Sequence, residues 1–84
     1  MMKELSQTIE MMLSADYKER FKAEYWQIKI RLEKLHKYIV ECIAEDKAPL
    51  CTLRLLYKQE LYMRKYLKCL EIRAKIDGIE LEEV

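Results

Sequence analysis

The stretch that decides the fold is residues 17–42, YKERFKAEYWQIKIRLEKLHKYIVEC. Its apolar residues alternate between spacings of four and three, which keeps one stripe facing a partner helix along its whole length. A helix of this length cannot leave such a stripe uncovered, so the run predicts a second long helix beside it. The stripe consists of Phe21, Tyr25, Ile28, Leu32, Leu35, Ile39 and Cys42.

Three helices are predicted, at residues 3–13, 17–45 and 52–77. Asp16 precedes the second helix and Glu19 follows three residues later, which resembles a capping box. A break before the third helix is predicted at Pro49, because proline removes a backbone donor and disfavours helix in the residue before it.

A short break between two long helices makes them antiparallel neighbours. Folding the chain about residue 48 places Leu32 near Met63 or Arg64, and Phe21 near Ala74. Gly78 followed by an apolar residue predicts a left-handed cap at the end of the third helix.

Composition supports an all-α protein forming a single helical domain over residues 1–84. One glycine and one proline in 84 residues leave little for tight turns, and 51% hydrophobic residues are too many for a disordered chain. The formal net charge of +1 argues against a protein that coats duplex nucleic acid. It leaves room for a small anion held by two or three cations.

Two facing helices have too little core to be independently stable, and many apolar residues lie off the main stripe. We therefore expect a homo-oligomeric bundle, with the first helix crossing the open end of the hairpin or reaching another copy. These off-stripe residues are Trp26, Ile30, Tyr38, Val40, Ile43, Leu55, Tyr62, Tyr66 and Ile72.

No residues stand out as catalytic, metal-binding or cofactor-binding. His36, the one histidine, is predicted to be a surface residue, and Cys69 lies too far along the hairpin from Cys42 for a zinc site. The chain has no uninterrupted apolar run of seven residues, so we expect no signal-peptide core, no membrane span and a cytoplasmic protein with reduced thiols.

Aromatic and basic residues occur together on the second helix. Tyr17, Glu24, Arg31 and Tyr38 recur every seven residues along one flank of the stripe, and Arg20 lies one turn beyond Tyr17. A tyrosine ring can stack on a nucleobase, and a guanidinium or ammonium can bind phosphate oxygens. Glu24 opposes an anion groove on this flank unless Arg20 or Arg31 pairs with it. The other flank carries Lys22, Lys29 and His36.

Residues 14–37 and 66–81 resemble a family of small phage-encoded helical proteins first grouped from crAss-like gut phages. The order of a helix, a loop with proline, and a helix ending in Arg-Ala-x-x-x-Gly-Ile also matches. That family is similar to the anti-CBASS sponge proteins, with which phages oppose bacterial cyclic-oligonucleotide signalling.

The resemblance implies hexamers that sequester cyclic dinucleotides between subunits, and in some cases trinucleotides, without cleaving them. It implies that a tyrosine near the start of the long helix stacks on the bases, which maps onto Tyr17. The phosphate-binding residue maps onto Arg31 or Lys29. The alternatives from the residues themselves are a helical module that docks a partner protein and a self-assembling scaffold.

Overall fold

The computed structural model describes residues 5–49 and 51–81 and is all-α over that part of the chain. A 3₁₀ turn at Leu5–Gln7 leads into α1 (Thr8–Met12), followed by the long helices α2 (Tyr17–Ala44) and α3 (Leu53–Asp77). The predicted fold class, a short first helix with two long antiparallel helices, is confirmed. Assembly into an oligomer stays a prediction.

Side chains just before α2 fix where that helix begins. The Asp16 carboxylate accepts a hydrogen bond from the backbone amide of Lys18 at 3.0 Å, which satisfies one of the free amides of the first turn. The reciprocal bond expected of a capping box is made differently. The Asp16 amide donates to the hydroxyl of Ser14 at 3.1 Å, rather than to the predicted Glu19.

Both ends of α3 are capped. The Thr52 hydroxyl accepts from the amide of Leu55 at 3.2 Å, as an N-cap should. At the other end Gly78 has φ of +69°, and the amide of Ile79 donates to the carbonyl of Ala74 at 2.8 Å. Ile79 is buried, so the predicted left-handed cap with its hydrophobic contact is confirmed.

The core lies between α2 and α3 and follows the predicted stripe. Two cross-helix contacts fix the antiparallel register: Tyr25 lies opposite Glu71, and His36 lies opposite Glu60. The buried cluster consists of Phe21, Tyr25, Trp26, Leu32, Leu67, Leu70, Ala74 and Ile79.

The first helix folds back onto α2 of its own chain. Thr8 is fully buried, and its hydroxyl accepts a hydrogen bond from the Gln27 side chain at 3.0 Å. Trp26 and Ile30 are both buried within one chain, Trp26 as part of the core cluster, so these two residues are not evidence for a homo-oligomer. The other off-stripe apolar residues remain exposed: Tyr38, Val40, Ile43, Leu55, Tyr62, Tyr66 and Ile72.

Among the described residues, no helix is both long enough and apolar enough to cross a membrane.

Candidate functional site

The hairpin presents two open flanks, one on each side of the contact between α2 and α3. We call the first the Tyr17 face; it carries Tyr17, Glu24 and Arg31 of α2 with Tyr66 and Arg73 of α3. Cross-helix bonds join Arg73 to Tyr17 and Tyr66 to Glu24, which establishes that these side chains share one side of the molecule. The predicted flank therefore extends across both helices.

Tyr17 is the first residue of α2 and stands at the open end of the hairpin. Its side chain is 46% exposed, and its hydroxyl accepts a hydrogen bond from an Arg73 guanidinium nitrogen at 2.8 Å. The ring meets Phe21 edge-on, with centroids 6.1 Å apart, and the Arg73 guanidinium lies 5.0 Å from the Phe21 ring centroid. An aromatic ring and a cation are thus held side by side with much of the ring open to solvent.

Arg73 was not among the predicted site residues. Arg73 directly precedes Ala74 in α3. The predicted folding of the chain already places Ala74 near Phe21, so it brings Arg73 to the same ring. The register between the helices therefore carries the signal for Arg73, whereas the predicted pairs of aromatic and basic residues lie on α2 alone.

Arg20 and Glu24 both have partners within the chain. One Arg20 guanidinium nitrogen donates to the Ser14 carbonyl at 2.9 Å, which holds the segment before α2 against the helix. The Glu24 carboxylate accepts from the Tyr66 hydroxyl, and this hydrogen bond is the main reason that the pKa of Tyr66 is raised. The acidic group on the Tyr17 face is therefore paired with a phenol.

Arg31 is exposed on the same flank of α2 as Tyr17. It follows Tyr17 by two heptad repeats, which is roughly 21 Å at about 1.5 Å per residue. Within one chain these two side chains therefore share a face but do not meet.

Lys29 lies on the opposite flank. Its ammonium is 5.0 Å from the Trp26 ring centroid and 5.8 Å from that of Tyr25. Lys29 also helps to line an open cleft of about 320 Å³ between α2 and α3. We call this the basic cleft; its lining is Lys29, Leu32, Glu33, His36, Arg64 and Leu67.

Carboxylates balance the cations of the basic cleft. His36 Nδ1 lies 2.8 Å from a Glu60 carboxylate oxygen, and Arg64 lies 3.8 Å from the other oxygen. The half-buried Glu60 is thus paired with two basic neighbours. His36 is exposed, as predicted.

Burial is the main reason that the pKa of Tyr25 is raised. Lys29 opposes this effect and Glu71, 3.4 Å from the Tyr25 hydroxyl, adds to it. Lys22 is half-buried at the same flank of α2 as Lys29.

The predicted site residues thus divide into two groups. Tyr17, Arg20 and Arg31 lie toward one side of the hairpin, and Lys22 and Lys29 toward the other. A single chain cannot bring Tyr17 and Lys29 to one small ligand. Within residues 5–49 and 51–81, no three His, Cys, Asp or Glu side chains converge where a metal ion could be held.

Comparison with known protein families identifies a match over most of the chain. Residues 15–76 match the model of the family described as Sequestin, a range that includes Tyr17, Phe21, Lys29, Arg31 and Arg73. No curated protein and no solved structure matches the chain.

Proposed function

The chain belongs to the Sequestin family, and from that premise we propose that it binds and sequesters cyclic oligonucleotide signals without cleaving them. The ligands would be cyclic dinucleotides or trinucleotides, and the biological role would be that of a phage anti-defence protein that blocks CBASS-type immunity in the host cytoplasm. The observation that carries the proposal is the family match over residues 15–76. It spans the paired ring and guanidinium of Tyr17 and Arg73.

The Tyr17 face has the chemistry that a nucleotide requires. The exposed half of the Tyr17 ring offers a surface for a nucleobase, and one such stack contributes about 1–3 kcal/mol. Arg73 fixes the Tyr17 hydroxyl and keeps a permanent positive charge beside the ring. Glu24 pairs with the phenol of Tyr66 rather than with a cation, so its carboxylate opposes a phosphate at that part of the face.

A site completed by a second chain explains why the candidate residues lie apart. Tyr17 and Arg31 are about 21 Å apart in one chain, and an antiparallel neighbour would bring its own Arg31 toward Tyr17. A cyclic dinucleotide has two bases and two negative charges, so two tyrosines and two cations from two chains match it. We propose that copies associate into a homo-oligomer, a hexamer by resemblance, through the exposed apolar residues.

Binding without turnover fits the same groups. Tyrosine and arginine at the Tyr17 face can stack and neutralise charge, but neither is poised there as a general base or a nucleophile. Enclosure between two chains would remove water from the phosphates and strengthen the charged hydrogen bonds that hold them.

Calorimetric titration with cyclic dinucleotides, cyclic trinucleotides and linear dinucleotides tests the proposal. We expect tight binding of at least one cyclic ligand, with one ligand per two chains for a dinucleotide. Chromatography of the nucleotide released by denaturing the complex should recover it intact. No heat from any cyclic ligand would reject the sponge function, and recovery of a linear product would reject sequestration without cleavage.

A helical module that docks a partner protein is the second candidate, and a self-assembling scaffold is a third. The observation that favours docking is the exposed apolar surface of α3, where Leu55, Tyr62 and Ile72 are at least half exposed. Affinity purification from infected cells separates these functions. A stoichiometric host protein supports the docking module, whereas a co-purifying cyclic nucleotide supports the sponge.

A further inference from the structure

Two cysteines lie together at the closed end of the hairpin. Cys42 is in the last turns of α2 and is buried, and Cys51 is exposed just before α3. Both line an open cavity of about 700 Å³ at the turn between the long helices, beside Asp46, Lys47 and Pro49. The cavity gives a small molecule access to the region between them.

The helix register independently brings Cys51 to within three residues of the position across from Cys42. The pairing sets Tyr25 opposite Glu71 and His36 opposite Glu60. Continued toward the turn, it sets Arg54 opposite Cys42, and Cys51 precedes Arg54 by three residues. The backbone between them turns sharply: Asp46 has φ of +50°, and the Lys47 amide donates to the Cys42 carbonyl at 2.8 Å. The returning chain is therefore drawn back over the end of α2.

The Tyr38 hydroxyl interacts with both cysteine side chains. Its hydrogen bond with Cys42 is the main reason that the pKa of Tyr38 is raised, and Cys51 raises it further. One phenol one turn before Cys42 is thus close to both thiols.

We propose that Cys42 and Cys51 form a reversible thiol–disulfide exchange site for low-molecular-weight disulfides of the glutathione type. The exposed Cys51 thiolate attacks one sulfur of the small disulfide, which releases one small thiol and leaves a mixed disulfide on Cys51. The Cys42 thiolate then attacks Cys51 Sγ and releases the second small thiol. The two cysteines lose two electrons and two protons in total, and the small disulfide is reduced to two thiols.

The resulting bond would tie the end of α2 to the start of α3 through a short loop. A cross-link of this kind restricts the unfolded chain, so the oxidised protein should have the higher Tm. Cys69 cannot take part, since it lies roughly 24 Å along α3 from its start at about 1.5 Å per residue. The exposed Cys69 is therefore a matched control thiol in the same chain.

The test is to incubate the full chain with oxidised glutathione, quench with N-ethylmaleimide under denaturing conditions, and map peptides by mass spectrometry. We expect a chain lighter by two hydrogen atoms at the linked 42–51 peptides, with N-ethylmaleimide or glutathione on Cys69 alone. Reduction before the quench should restore three N-ethylmaleimide adducts. The bond should still form in Cys69→Ser, and it should be absent in Cys51→Ser.

Circular dichroism of Cys51→Ser verifies that the variant folds, and replacement of this exposed residue leaves the core intact. A glutathione adduct that persists on Cys51 while Cys42 stays reduced would overturn the proposal, because the two thiols would then not meet. Disulfides linking Cys51 or Cys69 between chains, without the 42–51 bond, would overturn it as well.

Discussion

Removing the ring of Tyr17 should weaken nucleotide binding while leaving the protein folded. The ring is 46% exposed and touches Phe21 along one edge. Truncating a fully buried aromatic to alanine costs about 3–5 kcal/mol, so a ring that is roughly half covered predicts a loss of about 2 kcal/mol in Tyr17→Ala. Tyr17→Leu keeps an apolar contact with Phe21 and should lose less.

The expected loss of affinity depends on whether the variant keeps an aromatic ring. Both Tyr17→Ala and Tyr17→Leu lose the stacking surface, which corresponds to a Kd raised about 5- to 150-fold for a stack of about 1–3 kcal/mol. Tyr17→Phe keeps the ring and loses only the hydrogen bond from Arg73, so its Kd should change much less. Tyr57→Leu is the matched control, because Tyr57 is 48% exposed and lies near the start of α3. That position is toward the closed end of the hairpin, whereas Tyr17 is at the open end.

Calorimetric titration with a cyclic dinucleotide that the unmodified chain binds measures the affinity of each variant. Denaturant unfolding of the same samples measures the free energy of unfolding. Tyr17→Leu should bind the ligand weakly while remaining folded. If Tyr17→Leu binds as tightly as the unmodified chain, or if Tyr57→Leu is weakened equally, the ring of Tyr17 does not contact the base.

Three further predictions concern the fold. Leu70→Ala should cost about 2–5 kcal/mol in denaturant unfolding, because Leu70 is fully buried between the long helices, whereas Leu61→Ala at an exposed position of α3 should cost under about 0.5 kcal/mol. Gln27→Ala should speed hydrogen exchange in α1 while leaving α3 protected, and unchanged exchange would contradict the docking of α1 by this side chain. Because the pKa of Tyr66 is raised in the folded state, it contributes stability that is fully present below pH 10 and is lost as the pH rises through the folded-state pKa. Tyr66→Phe should therefore lose less unfolding free energy between pH 9 and 11 than the unmodified chain. Equal losses in both proteins would contradict this prediction.

The long hairpin could be predicted from the sequence because its information is periodic. The alternating stripe on α2 and the proline break together define a partner and a register, and the observed pairs Tyr25–Glu71 and His36–Glu60 agree with the expected approach of Leu32 to Met63. A repeated pattern averages over many residues, so no single exception displaces it.

The position of the first helix could not be predicted in the same way. α1 spans only Thr8–Met12, too short for periodicity to name its partner, and it is held partly by the polar contact between Gln27 and Thr8. Trp26 and Ile30 therefore looked like surface for another chain although α1 lies against their helix.

The site was predicted in part for a related reason. Heptad spacing correctly separates the flank of Tyr17 and Arg31 from that of Lys29, since both flanks follow from α2 alone. Arg73 was missed because its contact with Tyr17 spans two helices and depends on the rotation of α3, which spacing within α2 does not encode.

Native mass spectrometry of the full chain, with and without cyclic dinucleotide, addresses the shared site most directly. We predict an oligomer that binds one dinucleotide for every two chains, and we predict that Tyr17→Leu keeps its subunit number but loses the ligand. A monomer that binds no cyclic nucleotide would contradict the proposal that two copies of this hairpin together enclose the signal.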